Sequence, residues 1–104
     1  MKSLRKPTPP GEILSEEFLK PLNLTQKKLA DHLQVDIKVI NRLVNSNTRI
    51  TPEMAVKLAA AFNCSPEFWL NAQNAVDLYE IRKHFDKTAI RPISRAKNGR
   101  NRAA

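Results

Sequence analysis

Four places in this chain repeat one short pattern, and that repetition limits the fold more than any other feature. An apolar residue precedes a Ser, Thr or Asp, and a second apolar residue follows the polar one four positions later. The instances are Leu24-Thr25 with Leu29, Val35-Asp36 with Ile40, Ile50-Thr51 with Ala55, and Cys64-Ser65 with Trp69. In each, the polar side chain can accept from an unpaired N–H of a first helical turn, and the apolar pair staples the incoming chain onto the helix. Pro52 and Pro66 stand at the first helical position, where a missing N–H costs nothing. The four starts predict helices near 26–33, 37–45, 52–62 and 66–85. An earlier helix is expected after Pro9-Pro10-Gly11, with Ile13, Leu14, Phe18 and Leu19 on one face and Pro21 as its end. Glu12, Glu16 and Glu17 lie in its first half, where the helix dipole favours anions. Asn45-Ser46-Asn47-Thr48 reads as a loop. The expected class is all-α with five helices.

A chain of 104 residues fits one domain with a modest core, which a dimer partner would help to stabilise. The single cysteine, Cys64, allows no intrachain disulfide framework. That suits the cytoplasm, the expected location. No apolar run approaches a membrane span, and basic Met1–Lys6 lacks the apolar stretch of a secretory signal. The formal net charge is +8, which points to an anionic partner. Its distribution is uneven: +3 in residues 1–10, +6 in residues 87–104 and −1 between them. We therefore expect a basic arm over 1–9, a folded domain over 10–86 and a flexible basic tail over 87–104. The tails can serve solubility or add phosphate affinity that is independent of sequence.

Chemistry of recognition concentrates between Thr25 and Leu43. Leu29, Ala30, Leu33, Val35, Ile40 and Leu43 have the spacing that packs two short helices together across a tight turn, and small Ala30 permits close approach. The second helix then keeps a free face carrying Ile37, Lys38, Asn41 and Arg42. In a helix-turn-helix that face enters the major groove of DNA. Arg42 and Lys38 suit guanine, Asn41 suits adenine, and Ile37 suits a thymine methyl group. Gln26, Lys27 and Lys28 open the preceding helix, where N–H groups and side chains can hold phosphates. Thr25, Asp36 and Asn45 complete the predicted DNA-contact set. From Lys20 to Arg49 six basic residues stand against two acidic ones, Asp31 and Asp36. An ordinary solvated helix face is the competing reading of these positions.

Catalysis finds no support. His32 and His84 stand far apart, neither with a Cys or Glu at zinc-site spacing. Cys64 precedes a cap and is assigned to packing. Adjacent Glu16 and Glu17 do not face each other as an acid–base pair would. No phosphate-cradling glycine loop and no cofactor motif is present.

Residues 24–45 resemble the repressor and Cro-like (XRE-type) helix-turn-helix superfamily. A longer pattern is more specific. Pro10-Gly11-Glu12-Ile13-Leu14, Glu17-Phe18-Leu19, Leu24-Thr25-Gln26, Thr51-Pro52-Glu53-Met54-Ala55, Ser65-Pro66-Glu67-Phe68-Trp69-Leu70-Asn71 and Asp77-Leu78 resemble HigA-type antitoxins, also called VapI-like antidote proteins. The likeness covers roughly residues 9–85. It implies a homodimer that binds double-stranded operator DNA and neutralises a small mRNA-cleaving toxin. Gln34 departs from the pattern, standing at a turn position where the superfamily often has Gly. The toxins of this family tend to be basic, so an acidic face made by Glu12, Glu16 and Glu17 is the expected docking site.

The last helix, about 65–86, is long for the domain, and its apolar residues occupy more than one stripe. Phe68, Trp69, Leu70, Val76, Leu78 and Tyr79 are the expected dimerisation residues, with packing onto their own domain as the alternative. A dimer would set two reading helices about 34 Å apart on a palindromic site. A stand-alone repressor without a toxin, and a basic protein coating nucleic acid without sequence preference, are the other readings.

Overall fold

The computed structural model describes residues 5–94, and every described regular element is helical. Helix α1 spans Pro10–Ile13 and runs without a break into a π-helical segment, Leu14–Leu19. Then follow α2 (Gln26–Leu33), α3 (Ile37–Val44), α4 (Pro52–Phe62), α5 (Pro66–His84) and a short 3-10 turn, Lys87–Ala89. Helix α2 packs on α3 and α4, α4 on α5, and α1 on both α3 and α5.

All four predicted caps form. Thr25, Thr51 and Ser65 each accept from the N–H three residues on, while the Asp36 carboxylate accepts from Lys38 at 2.8 Å. The apolar residues four places after each cap, Leu29, Ile40, Ala55 and Trp69, are 1% exposed or less. Their staple partners Leu24, Val35, Ile50 and Cys64 lie in or against the same core. Local capping chemistry thus fixes where four helices start, and one shared core fixes how they meet.

The turn between α2 and α3 accommodates Gln34 in a left-handed conformation, φ 60° and ψ 47°. Its N–H donates to the Asp31 carbonyl and the Val35 N–H to that of Ala30, which satisfies two carbonyls at the end of α2. The tight turn therefore forms without glycine.

Two expectations need correction, while Pro21 does end the first helix. Leu19 is its last residue and Lys20 its cap, and the Leu22 N–H on the Phe18 carbonyl and the Leu24 N–H on the Leu19 carbonyl close the turn around Asn23, left-handed at φ 54°. The wider winding from Leu14 to Leu19 keeps both of these leucines fully inside, where a five-residue separation would diverge on an α-helix. The stretch from residue 87 is not wholly irregular. Asp86 caps the Lys87–Ala89 turn, and hydrogen bonds from the Thr88 hydroxyl and N–H hold its carboxyl below the ordinary value. Most of the expected basic tail, residues 95–104, and residues 1–4 of the arm lie outside the described residues. Finally, Trp69 is 0% exposed, so its side chain is withdrawn from any dimer surface. It is packed among Phe18 and Phe68, with ring centroids 5.3 and 5.1 Å away.

Among the described residues no helix is long and apolar enough to cross a membrane, and no three His, Cys, Asp or Glu side chains gather as a metal site would need.

Candidate nucleic-acid interface

Helix α3 buries Ile40 and Leu43 and leaves Ile37, Lys38, Asn41, Arg42 and Asn45 exposed. Four of these residues, with Gln26 from the start of α2, line a shallow cleft of about 360 Å³: Ile37, Lys38, Asn41 and Arg42. Two cations and two amides rim it. Ile37, 44% exposed, supplies apolar surface of the kind a thymine methyl group contacts.

The amides are connected. The Asn41 Nδ2 donates to Gln26 Oε1 at 3.2 Å, and Asn45 Nδ2 donates to Asn41 Oδ1 at 3.3 Å. This row crosses from α2 to α3 at the surface, above the buried contact that Leu29, Ala30, Ile40 and Leu43 make in the core. An Asn amide has two N–H donors and an oxygen with two lone pairs. The row leaves Asn41 one of each, which is what adenine requires for bidentate recognition. Sequence reasoning found the three residues separately but missed the bonds among them. The available signal was the presence of amides on the solvent faces of both helices.

The remaining predicted DNA contacts divide by role. Thr25 and Asp36 are engaged as caps, so they shape the surface by fixing where α2 and α3 begin. Lys27 and Lys28 are exposed on the first turn of α2, with Lys27 3.3 Å from Asp31. Both partners of that pair are well solvated, so it binds the lysine weakly.

The predicted acidic set is exposed. Glu16 forms an ion pair with Lys20 at 2.6 Å, which compensates its charge. In the predicted dimer set, Trp69 is in the core and Leu70 packs against it. Val76 and Tyr79 are half-buried, and Phe68 and Leu78 are exposed. Beyond Asp77 no residue of α5 is buried, and Leu78, Ile81 and Phe85 form one apolar stripe, 48–63% exposed. Ile81 and Phe85 were missed from sequence, although their three- and four-residue spacing was visible there.

Two capped helices across a left-handed turn, with amides and cations on the outer face of the second, define a helix-turn-helix protein of the DNA-reading type. The helix-turn-helix family model matches residues 16–69. An HTH-type transcriptional regulator of Haemophilus influenzae is 53% identical over 77 residues, 74% of this chain and 72% of that protein. The antitoxin HigA-1 of Vibrio cholerae is 40% identical over 94 residues, 88% of this chain and 89% of the antitoxin. Among solved structures, the Pseudomonas aeruginosa antitoxin HigA with the higBA promoter is similar at a TM-score of 0.76 and 31% identity, covering 86% and 98% of the two chains. The chain belongs to the HigA/VapI family of helix-turn-helix antitoxins.

Proposed function

We propose that this protein is a dimeric antitoxin that represses its own operon by reading operator DNA in the major groove and neutralises a cognate mRNA-cleaving toxin by binding it. The observation that carries the DNA half is the Gln26–Asn41–Asn45 row beside Lys38 and Arg42. Base edges are read by rigidly presented amides and guanidinium groups, and phosphates by the cations and N–H groups around them. The similarity to a HigA antitoxin solved with promoter DNA supports the same use of this face.

Dimerisation through α5 follows from its exposed stripe, with Leu78, Ile81 and Phe85 as the residues that a second copy covers. Phe68 lies off that stripe, in edge contact with Trp69, and contributes at most a rim. Residues 10–86 act as one DNA-binding and dimerising unit. Toxin docking is assigned to Glu12 and Glu17, with Glu16 in a lesser role because Lys20 already compensates it.

Arg42→Ala or Asn41→Ala is expected to weaken operator binding by about 1–3 kcal/mol and to relax the preference at one position of each half-site. Binding to a panel of singly substituted operators checks this. Equal weakening on every sequence would remove that residue from base readout. Footprints of a dimer are expected to cover two half-sites about 10 base pairs apart.

The toxin half is tested by co-purification of tagged protein expressed from its own locus. The expected result is a small basic protein in stoichiometric amount, toxic when expressed alone, that is no longer retained after charge reversal of Glu12 and Glu17. A stand-alone repressor is the second reading, favoured by the 53% identity to a transcriptional regulator. Recovery of DNA with no protein partner would select it.

A further inference from the structure

Gln73 is the one buried polar side chain in the described core, 8% exposed on α5. Its Oε1 accepts from the Ile50 N–H at 2.9 Å, and its Nε2 donates to Asp77 Oδ1 at 3.1 Å. One turn on, Asp77 Oδ2 lies 2.7 Å from Arg49 Nη2. Two consecutive residues of the loop after α3, Arg49 and Ile50, are therefore fastened to two residues on one face of α5. The other end of the loop folds back on α3: the Ser46 N–H donates to the Leu43 carbonyl at 3.0 Å and the Asn47 N–H to the Arg42 carbonyl at 2.8 Å. The reading helix and α5 are thus connected by a short segment bonded at both ends.

Burial of an amide needs a reason. The Ile50 N–H lies just outside α4, has no helical acceptor and is enclosed, so an unsatisfied donor there would be costly. Gln73 removes that cost and its second group reaches Asp77. Asp77 in turn uses one oxygen on Gln73 and the other on Arg49. The Arg49 side chain remains 64% exposed and its ion pair with Asp77 is made through one terminal nitrogen, so the other donors of its planar fork are open to a further acceptor.

We propose that Asp77 and Gln73 are positioning residues for DNA binding, which hold Arg49 pre-aimed at a backbone phosphate and so set the reading helix relative to α5. The proposal rests on the DNA-binding reading above. The chemistry recognised is one phosphate diester, independent of base sequence, beside the bases read by Asn41 and Arg42. A held guanidinium loses less freedom on contact than a free one. The arrangement also brings the apolar stripe of α5 next to the anchor of the loop after α3, because Asp77, which holds Arg49, and Leu78 are consecutive residues of α5.

The test is a cycle of full-length variants, Arg49→Gln, Asp77→Asn and both together, measured on operator DNA and on random duplex between 50 and 200 mM salt. Asp77→Asn keeps an oxygen for Gln73 and removes only the charge. Arg49→Gln is expected to lower affinity about five- to tenfold on both DNAs and to reduce the salt slope by about 0.9. Asp77→Asn makes the protein one charge more positive, so general electrostatics alone would tighten binding. The positioning role predicts the opposite, a loss of roughly threefold, and little further effect of Asp77→Asn once Arg49 is gone. Tighter binding by Asp77→Asn, or an unchanged slope in Arg49→Gln while Arg42→Ala still relaxes sequence preference, would overturn this proposal alone. No preference of the wild-type protein for its operator would overturn it together with the DNA-binding reading.

Discussion

Gly11→Ala is expected to destabilise the protein by about 2–3 kcal/mol, although alanine is the better helix former by about 1 kcal/mol. The reason is the packing of α1 against the end of the reading helix. A Cβ at Gly11 would fall deep inside the Leu43 carbonyl oxygen, 2.9 Å from the Leu43 carbonyl carbon and 3.1 Å from the Val44 oxygen. These are backbone atoms of α3, and no rotamer change can move them aside. The two helices must separate, which loosens the burial of Leu14 beneath α1 and of Leu43 within α3. Urea unfolding followed by the fluorescence of the single tryptophan measures the loss directly. Because the displaced element is the reading helix, operator affinity should fall even under conditions where the variant is folded. A variant as stable as wild type would mean that α1 and α3 do not meet at this distance.

The largest loss is expected from Trp69→Ala, about 3–5 kcal/mol. Trp69 is 0% exposed, joins α5 to the core beneath α1 and α4, and stacks obliquely on Phe18 at 5.3 Å. Phe18 in turn meets Phe62 at 4.7 Å, so one indole supports an aromatic cluster drawn from three helices. Its Nε1 reaches no acceptor among the described residues. Trp69→Phe therefore forfeits volume but no protein hydrogen bond, and roughly a third of the alanine loss is expected. Thermal unfolding followed by circular dichroism compares the two. Equal losses would mean that the indole N–H has a partner inside the fold. If Trp69 lay at a dimer surface instead, its loss would depend on protein concentration.

The fate of Trp69 shows what a sequence of this kind reveals. Its place four residues after the Ser65 cap marked it for the core, while its aromatic character and its position on a long helix suggested an interface. The local rule prevailed, because a stapled residue is directed inward by the entry of its own helix. Capping and staple positions were legible for the same reason: they depend on residues within five of one another. The left-handed conformation of Gln34 was not legible in this way: the likeness to the superfamily marked a position that often holds glycine, and the geometry of the turn stayed open until the structure gave it. The contacts that build the site across the fold were not legible. Asn41 meets Gln26 from 15 residues away, and Gln73 meets Ile50 from 23. Nothing near Gln73 distinguishes it from other polar helix residues, and only packing brings a stranded N–H to its amide. The π-helical winding of Leu14–Leu19 was hidden too, since Ile13, Leu14, Phe18 and Leu19 satisfy an ordinary helical face equally well.

The central claim is that α3 reads sequence rather than charge, and the ratio of operator to random-duplex affinity tests it most directly. The measurement takes full-length protein, DNA from upstream of its own gene and a random duplex of equal length, titrated between 50 and 200 mM salt. The predicted result is a preference for operator of about a thousandfold or more that persists across the salt range while both affinities fall. Equal affinity for the two duplexes at every salt concentration would contradict it and leave a basic protein held by phosphates alone.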